Sequence, residues 1–286
     1  MRIGLLQEQQ NKLYDFASEK RSFCFEEAKT LQEEMIEQNF ALMDTAHTKN
    51  CDLLVTSEAI NFCGQPWEVD LNWEHLVPEM KSEIFQKLSQ KARQTHTYLA
   101  VGVINKRRVH GAFQFYNSAF LYNRQGRLLS VYDKVHLAGR ENKYLTPGEK
   151  YMVFDSEFGK FGVCICWDMQ FPEVCRELAL MGAQLVVCPT WGWEQIYGHA
   201  RAYENGIFVA SAMAVPYAEP ICRLRNPSEV VSPIGEVLAR ASDERSQLLT
   251  CDLNLAECEE IRAMRLSGRK PATYCHLSEE LTGKKE

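Results

Sequence analysis

Apolar positions along the chain change period repeatedly, dividing it into short strands and longer helices. Over 25–47 the apolar residues Ala28, Leu31, Met35, Leu42 and Ala46 recur at spacings of three, four or seven, which predicts a helix with one apolar face. Residues 79–97 repeat the pattern through Met80, Ile84, Leu88 and Ala92. Between and around these helices lie apolar runs at 1–6, 51–56 and 98–104, each of strand length, so the chain opens as strand, helix, strand, helix, strand. Two β-rich runs, 113–122 and 128–134, flank Asn123-Arg124-Gln125-Gly126, a turn-forming tetrapeptide in which Gly adopts positive φ at little cost, and together they predict a hairpin.

Further on, 161–166 reads as a strand. Phe171-Pro172-Glu173 opens a helix with Pro in its first turn, where the missing N–H costs nothing, and Gly182 closes it. Strands follow at 185–188 and 207–212 around a helix at 195–205. The last third carries strands at 229–232, 237–239 and 248–252 and a helix at 256–265. No Pro- or Ser-rich linker divides the chain. The expectation is one domain over 1–286, α/β in class, with a mixed sheet or a pair of sheets between helical layers and a polar C-terminal extension from about residue 268.

Composition narrows the function classes. The 286 residues are 45% hydrophobic and 24% charged, which fits a globular protein with a sizeable core. A formal charge of -6 supplies no basic surface to neutralise phosphates, so nucleic acid is not an expected partner. The run Met1 to Glu8 has too short an apolar stretch for a signal peptide, and nothing approaches the ~18 apolar residues of a membrane span; the reading is a cytoplasmic protein without a membrane partner. Eleven cysteines, at 24, 51, 63, 164, 166, 175, 188, 222, 251, 258 and 275, lack the regular spacing of a disulfide scaffold, so most are expected reduced, buried and inert.

Cys166 differs from the rest by position. It ends the apolar run Phe161-Gly162-Val163-Cys164-Ile165-Cys166, at the carboxyl end of a strand where ligands bind in α/β folds, and a helix begins just beyond, which would favour a thiolate. Period-two alternation places Cys164 on the same face, so alternation does not choose between them. A nucleophilic cysteine needs a base and donors for an oxyanion. Glu58 lies just past the strand 51–56 and Lys134 ends the second hairpin strand. Taken singly, Glu58 is equally a solvated loop carboxylate and Lys134 a surface charge.

At these three places together the sequence resembles the nitrilase superfamily of carbon-nitrogen hydrolases. Gly162 to Glu173, with Cys166-Trp167-Asp168 followed by Phe171-Pro172-Glu173, is similar to its nucleophile segment. Tyr132-Asp133-Lys134-Val135-His136-Leu137 resembles its lysine motif, and Asp52-Leu53-Leu54-Val55-Thr56-Ser57-Glu58 its first glutamate motif, although that glutamate more often follows Pro than Ser. Similarity continues through Tyr116-Asn117-Ser118, Arg201 to Asn205, Ser228 to Gly235 and Gly268 to Tyr274. The resemblance implies an α-β-β-α sandwich of two mixed sheets flanked by helices. It also implies Glu58 as general base, Lys134 and the backbone N–H of Trp167 as oxyanion donors, Cys166 as nucleophile, and Glu141, ahead of Thr146-Pro147-Gly148, as the group orienting Lys134 and the second-step water, in preference to Glu149.

The implied substrate is a small linear amide, of ω-amidase or aliphatic-amidase type, opened through a thioester. An N-carbamoyl amine or amino acid is the alternative, a nitrile comes third, and a homodimer or higher homo-oligomer is expected. No cofactor or metal is called for; His136 and His199 lack ligand spacing with the cysteines. Trp191 and Trp193 are expected to line the substrate site, and Met213, near a position where relatives often carry Asn, to alter its wall. A catalytically silent binding protein and a redox protein using Cys164 and Cys166 are the readings from other classes.

Overall fold

The structure is a computed structural model and describes residues 1–13, 23–62, 73–215, 226–242 and 245–279. Two six-stranded sheets lie face to face. The first is ordered β12-β1-β2-β3-β4-β5 and the second β11-β10-β9-β8-β7-β6. The first sheet takes β1 (Arg2–Gln7), β2 (Leu53–Val55), β3 (Tyr98–Val109), β4 (Ala112–Tyr122), β5 (Leu128–Asp133) and β12 (Gln247–Asp252). The second takes β6 (Val153–Ser156), β7 (Gly159–Val163), β8 (Leu185–Thr190), β9 (Phe208–Met213), β10 (Glu229–Val231) and β11 (Val237–Arg240).

Each sheet repeats one plan. β1, β2 and β3 are parallel neighbours joined through α1 (Phe25–His47) and α2 (Glu83–Thr95), and β4 and β5 then fold back antiparallel. β7, β8 and β9 are likewise parallel through α4 (Pro172–Leu180) and α5 (Gln195–Asn205), with β10 and β11 antiparallel beyond them. One extra antiparallel strand closes each sheet at the parallel end, β12 on β1 and β6 on β7.

Three apolar layers hold this together. Ile3, Leu5, Leu53, Val55, Leu121, Phe161, Val163, Leu185 and Val187 meet between the sheets. Leu54, Leu99 and Val101 face outward from the first sheet onto Phe40, Met43, Phe85 and Leu88 of α1 and α2. Val186 and Val209 face outward from the second onto Val174, Leu178 and Ala202 of α4 and α5. The order is therefore helix, sheet, sheet, helix, as the resemblance implied. Parallel strands covered on both faces are apolar throughout, which is why β2 and β8 read as unbroken hydrophobic runs. Each fully buried aliphatic side chain contributes about 1.5–3 kcal/mol.

The helices at 25–47 and 195–205 stand where the pattern puts them, while the helix expected at 79–97 is shorter, Glu83–Thr95. Two features go beyond the pattern. β3 runs on past residue 104 to Val109 and forms a hairpin with β4, turning at His110 and Gly111, both at positive φ (49° and 88°). The charged run Lys106-Arg107-Arg108 masks it, because these residues pair on the solvated end of the sheet. β6 is an edge strand too short and too exposed to show a period. Among the described residues no helix is long and apolar enough to cross a membrane. The nine described cysteines are all free, five of them buried; Cys63 and Cys222 lie outside the described residues, as does the C-terminal extension from residue 280.

Candidate active site

The carboxyl ends of β2, β5 and β7 lie together, and each delivers one polar side chain. After β2 the chain passes through Thr56 and Ser57 to Glu58, then turns at Ala59, at φ 53°. This turn runs so close to β3 that a Cβ on Gly102 would stand 2.6 Å from the Ser57 carbonyl and 2.9 Å from Glu58 Cα, so only glycine fits there. After β5 comes Lys134, whose N–H donates to the Asn117 carbonyl (2.9 Å) and whose carbonyl accepts from Gly148 (2.9 Å). The next loop folds into a short helix, α3 (Glu141–Tyr144), that places Glu141 inside.

Lys134 is 1% exposed, and Glu58 and Glu141 are each 5% exposed. The Lys134 Nζ donates to Glu58 Oε1 at 2.8 Å and to Glu141 Oε1 at 3.1 Å, and lies 2.9 Å from Glu141 Oε2. Glu141 Oε2 also accepts the Ala138 N–H at 2.6 Å. Of the two glutamates in this loop it is thus Glu141 that meets Lys134; Glu149 lies at the surface, beside a separate cavity lined by Arg107, His110 and Lys150.

The nucleophile candidate sits differently from the expectation. β7 ends at Val163, not at 166, and Cys166 opens a 3-10 turn, Cys166–Gln170, at φ 44°. That left-handed backbone, rare for a side chain with a Cβ, breaks the alternation. Cys164 therefore does not share a face with Cys166: it packs outward with Cys175 and Cys188 under α4, whereas Cys166 packs against Met35, Trp191 and Ala214.

Asp168 fixes the turn. Fully buried, it accepts the Ile165 N–H (2.8 Å) and the Tyr132 hydroxyl (2.7 Å) on Oδ2, and the His136 N–H (2.9 Å) on Oδ1, where the His136 ring nitrogen Nδ1 also lies at 3.0 Å. Tyr132 and His136 flank Lys134, so one carboxylate ties the cysteine turn to the lysine strand. Arg201 braces the far end of the turn by donating to the carbonyls of Met169 (3.1 Å) and Gln170 (3.2 Å).

Electrostatics follow from burial. Burial pushes Glu58 up, and Glu141 adds to the rise, against the lowering pull of Lys134. Burial alone would lower Lys134, but Glu58 and Glu141 outweigh it and hold the ammonium well above its usual range. The Cys166 thiol is pushed up to about 12 by burial and by Glu58, against the lowering pull of Lys134 and of the Trp191 backbone N–H. The helix start expected to favour a thiolate is a 3-10 turn of five residues, and burial with Glu58 pushes the thiol the other way. Glu58 Oε2 is buried without a hydrogen bond of good geometry, and Cys166 is near enough to influence that carboxylate. A thiol, a buried carboxylate and a fixed ammonium therefore meet in one place, which is a set suited to acyl transfer.

A profile of the carbon-nitrogen hydrolase family matches residues 9–263. The chain belongs to that family. Carbon-nitrogen hydrolases act on bonds other than peptide bonds, and this chain is one of these enzymes. It is 33% identical over 201 residues to the omega-amidase NIT2 of Homo sapiens, a match covering 64% of this chain and 71% of that protein. Its fold superimposes on a carbon-nitrogen hydrolase of Helicobacter pylori G27 with TM-score 0.77 and 23% identity, over 98% of both chains. An amidase of Nesterenkonia sp. AN1, solved with acrylamide added to its active-site cysteine, matches with TM-score 0.70 and 25% identity over 92% of this chain and 97% of that one.

Among carbon-nitrogen hydrolase features read from the sequence, two tryptophans part company. Trp191 packs beside Cys166, but Trp193 is fully buried in the layer under α4 and α5, donating its Nε1–H to Glu229 at 2.7 Å. Met213 points into that same outer layer, so the residue on the wall beside Trp191 is Ala214. The Trp167 side chain is 41% exposed. His136 and His199 are engaged with Asp168 and the Gly235 carbonyl. Asn117 and Asp168 stand in segments quoted for the resemblance, but sequence reasoning gave neither of them a role. Their signal was polarity out of place: an Asn-Ser pair inside an apolar strand, and an Asp inside the apolar turn after the cysteine.

Proposed function

We propose that this carbon-nitrogen hydrolase opens small linear amides, of ω-amidase or aliphatic-amidase type, with Cys166 as nucleophile and Glu58 as general base. Lys134 and the backbone N–H of Trp167 hold the oxyanion, and Glu141 orients Lys134. The observation that carries this reading is the Lys134 ammonium fixed between Glu58 at 2.8 Å and Glu141 at 2.9 Å with Cys166 alongside.

A resting thiol near 12 is a poor nucleophile, so its proton must leave as the bond forms. Glu58, its proton affinity raised by burial, accepts it. As Cys166 Sγ bonds to the carbonyl carbon, the C=O electron pair moves onto oxygen, where Lys134 already carries the compensating charge. Collapse of this intermediate breaks the C–N bond. The departing nitrogen takes the proton from Glu58 and leaves as ammonia, and the acyl group stays on sulfur as a thioester. Water then gives a proton to Glu58 and attacks the thioester, and Cys166 departs with that proton as the free thiol. The apolar wall of Met35, Trp191 and Ala214 beside the sulfur suits an aliphatic acyl chain, and the likeness to an omega-amidase supports an amide over a nitrile.

A product screen on small amides and N-carbamoyl compounds, reading ammonia and carbon dioxide separately, tests the substrate class. Ammonia without carbon dioxide supports the amide. Carbon dioxide released with ammonia would assign N-carbamoyl amines or amino acids instead.

A further inference from the structure

Asn117 is the one described neutral side chain that donates to both carboxylates of the site. Its Nδ2 donates to Glu58 Oε1 at 2.7 Å and to Glu141 Oε1 at 3.2 Å. The strand β4 that carries it pairs with β5, and the Asn117 carbonyl accepts the Lys134 N–H, so backbone pairing sets the amide against the lysine and its two partners. At the same time its own Oδ1 is buried and has no hydrogen-bond partner. A buried amide is normally satisfied at both ends. Here the acceptor end is left unmet while both donor hydrogens go to carboxylates, an orientation set by the charges and not by the amide's own needs.

We propose that Asn117 is a positioning residue that keeps Glu58 in its ionised, proton-accepting form by donating one amide hydrogen to each of the two carboxylates flanking Lys134. The inference rests on the reading of Glu58 as the base. Two carboxylates and one ammonium leave an excess negative charge in a buried cluster, and Glu141 acts on Glu58 to favour its protonated form. Lys134 outweighs the push from Glu141, but burial, the largest influence, still leaves Glu58 raised. Hydrogen bonds donated to the ionised form shift the balance back. A Glu58 that held its proton at working pH could not take another from Cys166, so loss of the amide would act on the base and not on substrate binding.

The test compares wild type with Asn117→Ala and with the isosteric Asn117→Asp, which places a third carboxylate where the donor was. Glutamate labelled with 13C at the carboxyl carbon is titrated by NMR, and Glu58→Gln identifies the Glu58 signal by its disappearance. The expected result is a Glu58 midpoint raised by about one pH unit in Asn117→Ala, a tenfold change in its proton affinity, and by more in Asn117→Asp. The acid limb of kcat/KM moves with it, while KM at the pH optimum is little changed. An unshifted Glu58 midpoint in whichever variant folds overturns the proposal. A shifted midpoint with an unmoved kinetic limb leaves the positioning role standing and overturns Glu58 as the base instead.

Discussion

Cys166 combines three properties that conflict in an ordinary cysteine: left-handed backbone, a neutral thiol pushed up to about 12, and two charged neighbours acting on it in opposite senses. Such a thiol is inert without a base, which is why the proposed mechanism pairs it with Glu58. Replacing Cys166 with Ala should lower kcat on the order of 10³-fold or more, measured by ammonia release, because no other group takes over bond formation; turnover near wild type would show that the sulfur is not the nucleophile. The pH profile carries the second test. A general base acts only when ionised, and burial raises the Glu58 pKa, so the rate should fall as pH drops through a value above the ordinary glutamate range of ~4.3. An acid limb at or below that range is incompatible with the raised Glu58.

The decisive element is the turn Cys166–Gln170, which is neither strand nor α-helix and takes its shape from Asp168. Three backbone or hydroxyl donors and a histidine ring converge on that carboxylate in a fully buried setting. Asp168→Ala should therefore cost about 3 kcal/mol or more in urea unfolding, since hydrogen bonds to charged groups contribute ~1.5–3 kcal/mol each and the donors would be left buried and unpaired. Tyr132→Phe removes one of these donors and should cost about 1.5–3 kcal/mol, less than Asp168→Ala, with a smaller loss of kcat. Equal effects from the two substitutions would mean that Asp168 is not the anchor. The same element explains why period-two alternation failed to separate Cys164 from Cys166: the strand stops at Val163, and beyond it side-chain direction follows the turn.

At the scale of the molecule, two copies of one strand-helix plan stack so that the second sheet supplies the cysteine and the first the glutamate and the lysine. We propose that residues 1–286 unfold as one domain, because the apolar layer between the sheets belongs to both; a single cooperative transition by fluorescence and circular dichroism is expected, and two separated transitions would divide the halves. A homodimer is the assembly that the family resemblance implies, and sedimentation at micromolar concentration should give twice the chain mass; a monomer would reject it. By itself the sequence determined the α/β class, the helices at 25–47 and 195–205, and the three motifs that carry Glu58, Lys134 and Cys166, because local periodicity and short motifs are written in neighbouring residues. Only the tertiary structure decided that Trp193 and Met213 turn away from the site while Trp191 and Ala214 border it, and that Asn117 and Asp168 make the hydrogen bonds that tie it together. It also decided that the Cys166 thiol is pushed up rather than down, since a proton's affinity depends on how much water burial removes and which charges distant strands bring near, and neither quantity is local in sequence.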